Sequence, residues 1–524
     1  MNTEAFKADI EKGYTFKGDY IVLGGAMLNG ECQTGSFVKV PLKTLNRHGL
    51  IAGSTGSGKT KTLQIIAEQL SAKSIPSLLM DIKGDLSGIA KAAAGHPKID
   101  ERHARIGLEF TAGDSPVELL SLTGKNGARL RATPTEFGPL LLSKIMDLNE
   151  SQQGVLALVF KYCDDKALPL LDLNDLKKAL QYLTNEGKSE IEADYGRIAP
   201  TSAGTILRKI IELEQQGADT YFGEPSFEVA DLCRIDAQGR GVVNIIRLDD
   251  VQDKPKLFSS FMLQLLAEIY ASFPEEGDSD APKLVIFIDE AHLVFENASK
   301  PLLDQIETMV KLIRSKGIGL FFVTQVPSDV PDAVLSQLGL KVQHSLRAFT
   351  AKDRKAIKLA AENFPITPYY KVDEVLTSLG IGEAFVTALN EKGIPTPLVH
   401  TLLRAPQSRM DILTDAEINQ ILATSVMVKK YGQDLDRESA YEILNGKIEA
   451  AQEAAKQEEL KQQQEAPARS ASGRREKSTM EKVLNNTTTR QIGRTVAREL
   501  TRSLLGVLGI GGSSSRKSKK SGWF

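Results

Sequence analysis

The chain is poor in cysteine. Three residues, Cys32, Cys163 and Cys233, stand far apart in 524 and form no CxxC pair. That spacing excludes a disulfide scaffold and a cysteine-based zinc site, and it fits a reducing compartment. There is no run of 18 apolar residues, so no membrane-spanning helix is expected. The opening MNTEAFKADIEKGYTF lacks a basic segment followed by an apolar one and does not resemble a signal peptide, so the expected location is cytoplasmic. HExxH and GxSxG are missing. His292 has no second histidine at ligand spacing, which speaks against zinc.

What is there is an ordinary globular composition, 41% hydrophobic and 25% charged, long enough for several domains or one large one with insertions. The net charge of −2 hides an asymmetry. Residues 467–524 hold 13 Lys and Arg against 3 Asp and Glu, a balance of +10, so the remainder holds 52 against 64, a balance of −12. A basic tail of this kind contacts nucleic acid, an anionic membrane surface or an acidic partner, or else stays solvated.

The pattern along the chain predicts an α/β protein. Residues 1–45 read as a short N-terminal β region of a few strands joined by glycine turns. From Gly49, apolar runs of four to eight residues alternate with helical stretches: GLIA, SIPSLLMD, KLVIFID, GIGLFFVT, LKVQHSLR and GEAFVTAL. Such runs predict a mostly parallel sheet covered on both faces, here over 46–410. Within it, about 130–235 has helical periodicity and reads as a helical insertion. Residues 411–466 read as C-terminal helices and linker, including a polar helix-forming run without an apolar stripe. Residues 467–524 read as a basic low-complexity tail, and within it 479–509 space aliphatic residues and arginines four apart, as an amphipathic helix does. Its apolar face would dock on the body of the protein, a partner or a lipid surface.

The strongest chemical signal is GSTGSGKT, Gly53 to Thr60, which fits GxxxxGK[ST] between a predicted strand and a predicted helix. The segment Gly53, Ser54, Thr55, Gly56, Ser57, Gly58, Lys59, Thr60, Lys61 is therefore the candidate nucleotide-binding loop. Its amides point at phosphate oxygens, Lys59 supplies positive charge to the β- and γ-phosphates, and Thr60 offers a hydroxyl to Mg²⁺. The second signal is LVIFIDEAH. Asp289 at the end of an apolar strand is the candidate Mg²⁺ partner, and Glu290 beside it the candidate general base for the attacking water. The third is GLFFVTQ, whose Gln325 is placed to read the γ-phosphate or hold the water. MDIKGD, Asp81 to Asp85, ends another strand at the same predicted sheet edge; it serves either as a surface turn or near the γ-phosphate. Arg347 and Arg354 are candidates for an arginine acting in trans on a neighbour's nucleotide, against the alternative of surface ion pairs.

Taken together, GSTGSGKT, MDIKGD, LVIFIDEAH and GLFFVTQ resemble the HerA/FtsK class of ring-forming P-loop motor ATPases, in order and in strand context, across about residues 45–400. The helical stretch around TEFGPLLLSKIMDLN and the arginine- and glycine-containing tail resemble a bacterial HerA-like helicase subfamily. The resemblance implies a RecA-like fold, ATP and Mg²⁺ as cofactors, a hexameric homo-oligomer and DNA as the polymer moved. The N-terminal strand region is much shorter than the barrel preceding the motor in archaeal HerA. An ABC module is disfavoured, because Leu86-Ser87-Gly88 runs into Ile89 rather than completing LSGGQ. A P-loop ATPase acting on a protein or a membrane-associated partner is the alternative.

Overall fold

The computed structural model of the chain describes residues 3–251, 254–277, 279–295, 300–435 and 437–465. The basic tail and its amphipathic stretch lie outside these residues. By contacts the described residues divide into a sheet unit, within 3–132 and 213–435, and a helical unit, 133–212 with 437–465.

The sheet unit is built on twelve strands: β1 (Tyr20–Leu28), β2 (Glu31–Pro41), β3 (Gly49–Ala52), β4 (Ser77–Asp81), β5 (Val117–Ser121), β6 (Ala128–Arg129), β7 (Val243–Arg247), β8 (Leu284–Ile288), β9 (Ile318–Thr324), β10 (Leu340–Gln343), β11 (Glu383–Thr387) and β12 (Val399–Leu403). Their order is β2-β1-β12-β11-β10-β3-β9-β8-β4-β7-β5-β6. From β10 to β6 all pairs are parallel, and from β10 to β2 all are antiparallel. Every residue of β3, β4, β8 and β9 is buried. That explains why these strands read as unbroken apolar runs rather than alternating ones: helices cover both faces of a parallel sheet.

Register aligns the carboxyl ends of the central strands. Gln343 of β10 lies opposite Ala52 of β3, Ala52 opposite Thr324 of β9, Phe322 of β9 opposite Ile288 of β8, and Ile288 opposite Met80 of β4. The loops that leave these strands therefore share one edge.

The N-terminal segment differs from the expectation of strands alone. It opens with helix α1 (Thr3–Gly13), whose Phe6 and Ile10, with Tyr14 just beyond, are buried at intervals of four. Nor does it stand apart, since Gly24 to Ala26 of β1 pair with Thr401 to Leu403 of β12 inside the main sheet. A strand pairing across nearly 380 residues leaves no local mark in sequence.

The helical unit holds Pro134–Ile145, Glu150–Asp165, Leu173–Thr184, Lys188–Asp194 and most of Pro200–Gln215. Thr133 with Glu136, Asn149 with Gln152 and Asp172 with Asp175 form reciprocal caps at the starts of the first three helices. The helix Ala440–Glu465 belongs to the same unit: Ala440 N donates to Pro169 O (2.9 Å) and Tyr441 N to Asp175 Oδ1 (2.8 Å). Over residues 449–458 this helix is exposed, in keeping with its missing apolar stripe. Residues 213–235, helical by periodicity, return to the sheet unit mainly as short 3-10 turns.

No helix among the described residues is long and apolar enough to cross a membrane.

Candidate nucleotide site at the carboxyl edge of the sheet

The loop after β3 is pinned on both sides. Gly53 N donates to Thr324 O of β9 (3.2 Å) and Ser54 N to Ser345 O just past β10 (2.8 Å). Gly53, Gly56 and Gly58 have φ of 155°, 78° and 111°, conformations that L side chains rarely adopt. At Gly53 the requirement is also steric, because a β-carbon there would overlap the Cβ of His344. The helix α2 (Lys59–Ala72) starts directly from this loop. Its Lys59 is 7% exposed, and Nζ donates to Gly53 O (2.7 Å). Burial lowers the Lys59 pKa, and Lys83 adds to that, while Glu290, Asp289 and Asp329 oppose it.

Two strands away, the end of β8 delivers the acidic pair. Asp289 and Glu290 are buried. Asp289 Oδ2 accepts no hydrogen bond among the described residues. Burial, and then repulsion from Glu290, push its carboxyl up to about 7, with Lys83 pulling the other way. Glu290 has φ of 45°, left-handed for an L residue, a strain on the order of 1 kcal/mol. The turn is held by Ala291 N donating to Val323 O of β9 (2.9 Å). One Glu290 oxygen forms an ion pair with Lys83 and the other stands 3.3 Å from His292 Nδ1.

Between the loop and the acidic pair lies the tip of β9. Thr324 is buried and donates to Asp329 Oδ2 (2.6 Å), while Gln325, one residue on, is exposed. Sheet order thus sets Gln325 between Lys59 and Glu290.

In MDIKGD the carboxylate of Asp81 is spent on backbone. Oδ1 accepts from Gly84 N (2.7 Å) and Asp85 N (3.1 Å), and Oδ2 from Leu86 N (3.0 Å). Burial still raises its pKa to about 6. Asp81 is the staple of a tight turn, and the turn carries Lys83 to Glu290.

Three further sequence candidates flank the loop or lie beyond it. Lys61 turns its ammonium away from the loop, to Met410 O (2.6 Å) and Gln64 Oε1 (3.3 Å), so it offers the nucleotide only its backbone. Arg347 N donates to Ser54 Oγ (3.2 Å), which sets its backbone beside the loop of its own chain. Arg354 lies exposed on the helix Ala351–Glu362.

The sequence reasoning missed His344. It is fully buried beneath the loop, with Nε2 2.9 Å from Thr62 Oγ1 of α2. Burial and the nearby Lys59 lower its pKa to about 3, so the ring is neutral. It also missed the bracing of α2 by the segment after β12: Glu68 accepts from Gln407 N (2.7 Å) and Ser408 N (3.1 Å), and Gln64 donates to Arg409 O (2.9 Å). Both arise from pairings hundreds of residues apart.

Among the described residues no three metal-ligating side chains gather. A divalent ion at this edge would take Asp289 as its carboxylate and Thr60 as its hydroxyl, with phosphate oxygens completing the set. The unsatisfied Asp289 Oδ2 and the unsatisfied buried Ser57 Oγ fit a site that engages Mg²⁺ and phosphate.

A glycine loop between strand and helix, with an acidic pair across one intervening parallel strand, defines a RecA-like P-loop NTPase fold. The model of the helicase HerA-like C-terminal family matches residues 27–515, and the chain belongs to that family. It is similar to the DNA double-strand break repair helicase HerA of Sulfurisphaera tokodaii, 23% identical over 359 residues, which cover 67% of this chain and 64% of the relative. The same-named protein of Saccharolobus solfataricus is 23% identical over 361 residues, covering 67% and 63%. The chain thus spans less than two thirds of the length of these relatives. Among solved structures, the bacterial conjugative coupling protein TrwB matches with a TM-score of 0.48 at 13% identity, covering 78% of this chain and 94% of that one.

Proposed function

We propose that this chain binds and hydrolyses ATP with Mg²⁺ and works in the cytoplasm as a ring, a hexamer, that moves along DNA. The observation that carries this reading is the meeting, at one sheet edge, of Lys59 and its loop, Gln325, and the buried pair Asp289 and Glu290. The relatives named as DNA repair helicases support DNA as the polymer.

In this reading the amides of Gly53 to Thr60 and the Lys59 ammonium hold the β- and γ-phosphates. Thr60 and Asp289 hold Mg²⁺, which when bound offsets the negative charge of those phosphates. Glu290 accepts a proton from water as the water oxygen bonds to the γ-phosphorus and the bond to the β,γ-bridging oxygen breaks, leaving ADP and phosphate. Gln325 orients the water. Arg354 of a neighbouring subunit steadies the charge on the transferring group.

The test is ATP hydrolysis measured with Mg²⁺, with and without single- and double-stranded DNA. Lys59→Ala is expected to weaken nucleotide binding. Glu290→Gln is expected to bind normally and lose turnover, because an amide accepts no proton. Wild-type turnover in Glu290→Gln overturns the base assignment. Hydrolysis that neither form of DNA stimulates favours the alternative, an ATPase acting on a protein or membrane-associated partner, for which the acidic balance of residues 1–466 speaks.

A further inference from the structure

The ion pair between Lys83 and Glu290 does not belong to the ordinary set of P-loop parts, and its geometry is specific. Lys83 sits on the turn from Asp81 to Leu86, which three backbone amides on one buried carboxylate hold in shape, with Gly84 at φ of 75°. Its side chain is 42% exposed, whereas that of Glu290 is 7% exposed, so the ammonium reaches in from the open side of the site. Lys83 and Lys59 are close enough to act on each other's charge, as Lys59 and Glu290 are. Burial works against the Lys83 charge, but Glu290, Asp289 and Asp85 outweigh it, and the ammonium's pKa is raised.

Resting on the ATPase reading above, we propose that Lys83 is a further catalytic residue, whose ammonium passes from Glu290 to the terminal phosphate of bound ATP. One ammonium serves one strong anion best, and a terminal phosphate carries more negative charge than a carboxylate. Arrival of the third phosphate therefore draws Lys83 off Glu290. The transfer has two effects. The phosphate gains a second ammonium besides that of Lys59, which offsets charge as the water oxygen bonds to phosphorus and the bridging oxygen leaves with ADP. The Glu290 oxygen that Lys83 held becomes free to take the water's proton. ADP, which lacks the third phosphate, leaves Lys83 on Glu290, so the base is released only when there is a phosphate to transfer.

Affinities of Mg²⁺-ADP and of a non-hydrolysable Mg²⁺-triphosphate analogue, measured for wild type, Lys83→Ala and Lys83→Arg, test this. The expected result is a loss of about tenfold or more in triphosphate affinity for Lys83→Ala, with ADP affinity held within about twofold and the triphosphate largely rescued by Lys83→Arg. The unchanged ADP affinity shows that the loop is still folded. Equal triphosphate affinity in wild type and Lys83→Ala, or equal losses for both nucleotides, overturns the proposal. A wild type that binds neither nucleotide overturns instead the ATPase reading on which it stands.

Discussion

Glu68 Oε2 accepts a hydrogen bond from Ser408 Oγ at 2.9 Å, joining the nucleotide-loop helix to a segment 340 residues further along the chain. The same carboxylate takes the amides of Gln407 and Ser408, and Lys61 and Gln64 of the same helix bind the carbonyls of Met410 and Arg409. The inner face of α2 packs on the sheet through Leu63, Ile66 and Leu70, while Lys61, Gln64 and Glu68 are taken up by this strap. Glu68→Ala is expected to leave the half-buried Gln407 amide and the buried amide and hydroxyl of Ser408 without their acceptor, a loss of about 2–3 kcal/mol in the stability of the sheet unit. Glu68→Gln keeps one acceptor oxygen and is expected to lose less. Denaturant unfolding of both variants checks the order, and equal losses would show that charge rather than hydrogen bonding matters there.

Asp289 yields a prediction about pH. Its carboxyl is raised to about 7 in the fold against 3.8 ordinarily, so between those values the folded state holds a proton that the unfolded chain has released. Stability is therefore expected to fall as pH rises from about 4 to about 7, as the buried group is forced to ionise. Asp289→Asn removes that burden. In the absence of Mg²⁺ and nucleotide it is expected to stabilise the protein by on the order of 1–3 kcal/mol at pH 8, and by little at pH 4. Thermal unfolding at the two pH values checks this. A gain that does not grow with pH would show that Asp289 is solvated.

The two arginines are expected to behave differently in mixtures. Arg347 is bonded through its backbone to Ser54 of its own loop, and its side chain is expected to serve its own nucleotide. Arg354 is proposed to act on a neighbour's nucleotide. Lys59→Ala and Arg354→Ala, each inactive alone, are expected to regain activity when mixed, up to about a quarter of the wild-type sites for random mixing, because some intact loops then face an intact arginine. Lys59→Ala mixed with Arg347→Ala is expected to regain none. Hydrolysis per subunit in 1:1 mixtures checks both statements.

Removal of residues 467–524 is expected to leave basal ATP hydrolysis near wild type, since every motif assigned to the reaction lies before residue 400. Loss of hydrolysis in a folded truncation would make the tail part of the motor.

Sequence by itself determined the parts of this protein whose physics is local. A phosphate loop needs small residues in consecutive order, so GSTGSGKT names itself, and Gly53, Gly56 and Gly58 do adopt the backbone conformations that require glycine. Strands buried on both faces must be apolar throughout, so β3, β4, β8 and β9 were legible, and with them the polar residues at their ends, Asp81, Asp289 and Gln325. Only the tertiary structure decided which ends are neighbours. Placing β9 between β3 and β8 puts Gln325 amid the site. The pairing of β10 with β3 brings His344 under the loop, and that of β4 with β8 brings Lys83 to Glu290 across more than 200 residues. The direction of the Lys61 side chain has the same kind of cause: in sequence it adjoins the loop, but a helix turns 100° per residue, and that rotation faces it to the strap at Met410. Hydrogen bonds and ion pairs between residues this far apart follow from sheet order and register, which no local pattern encodes.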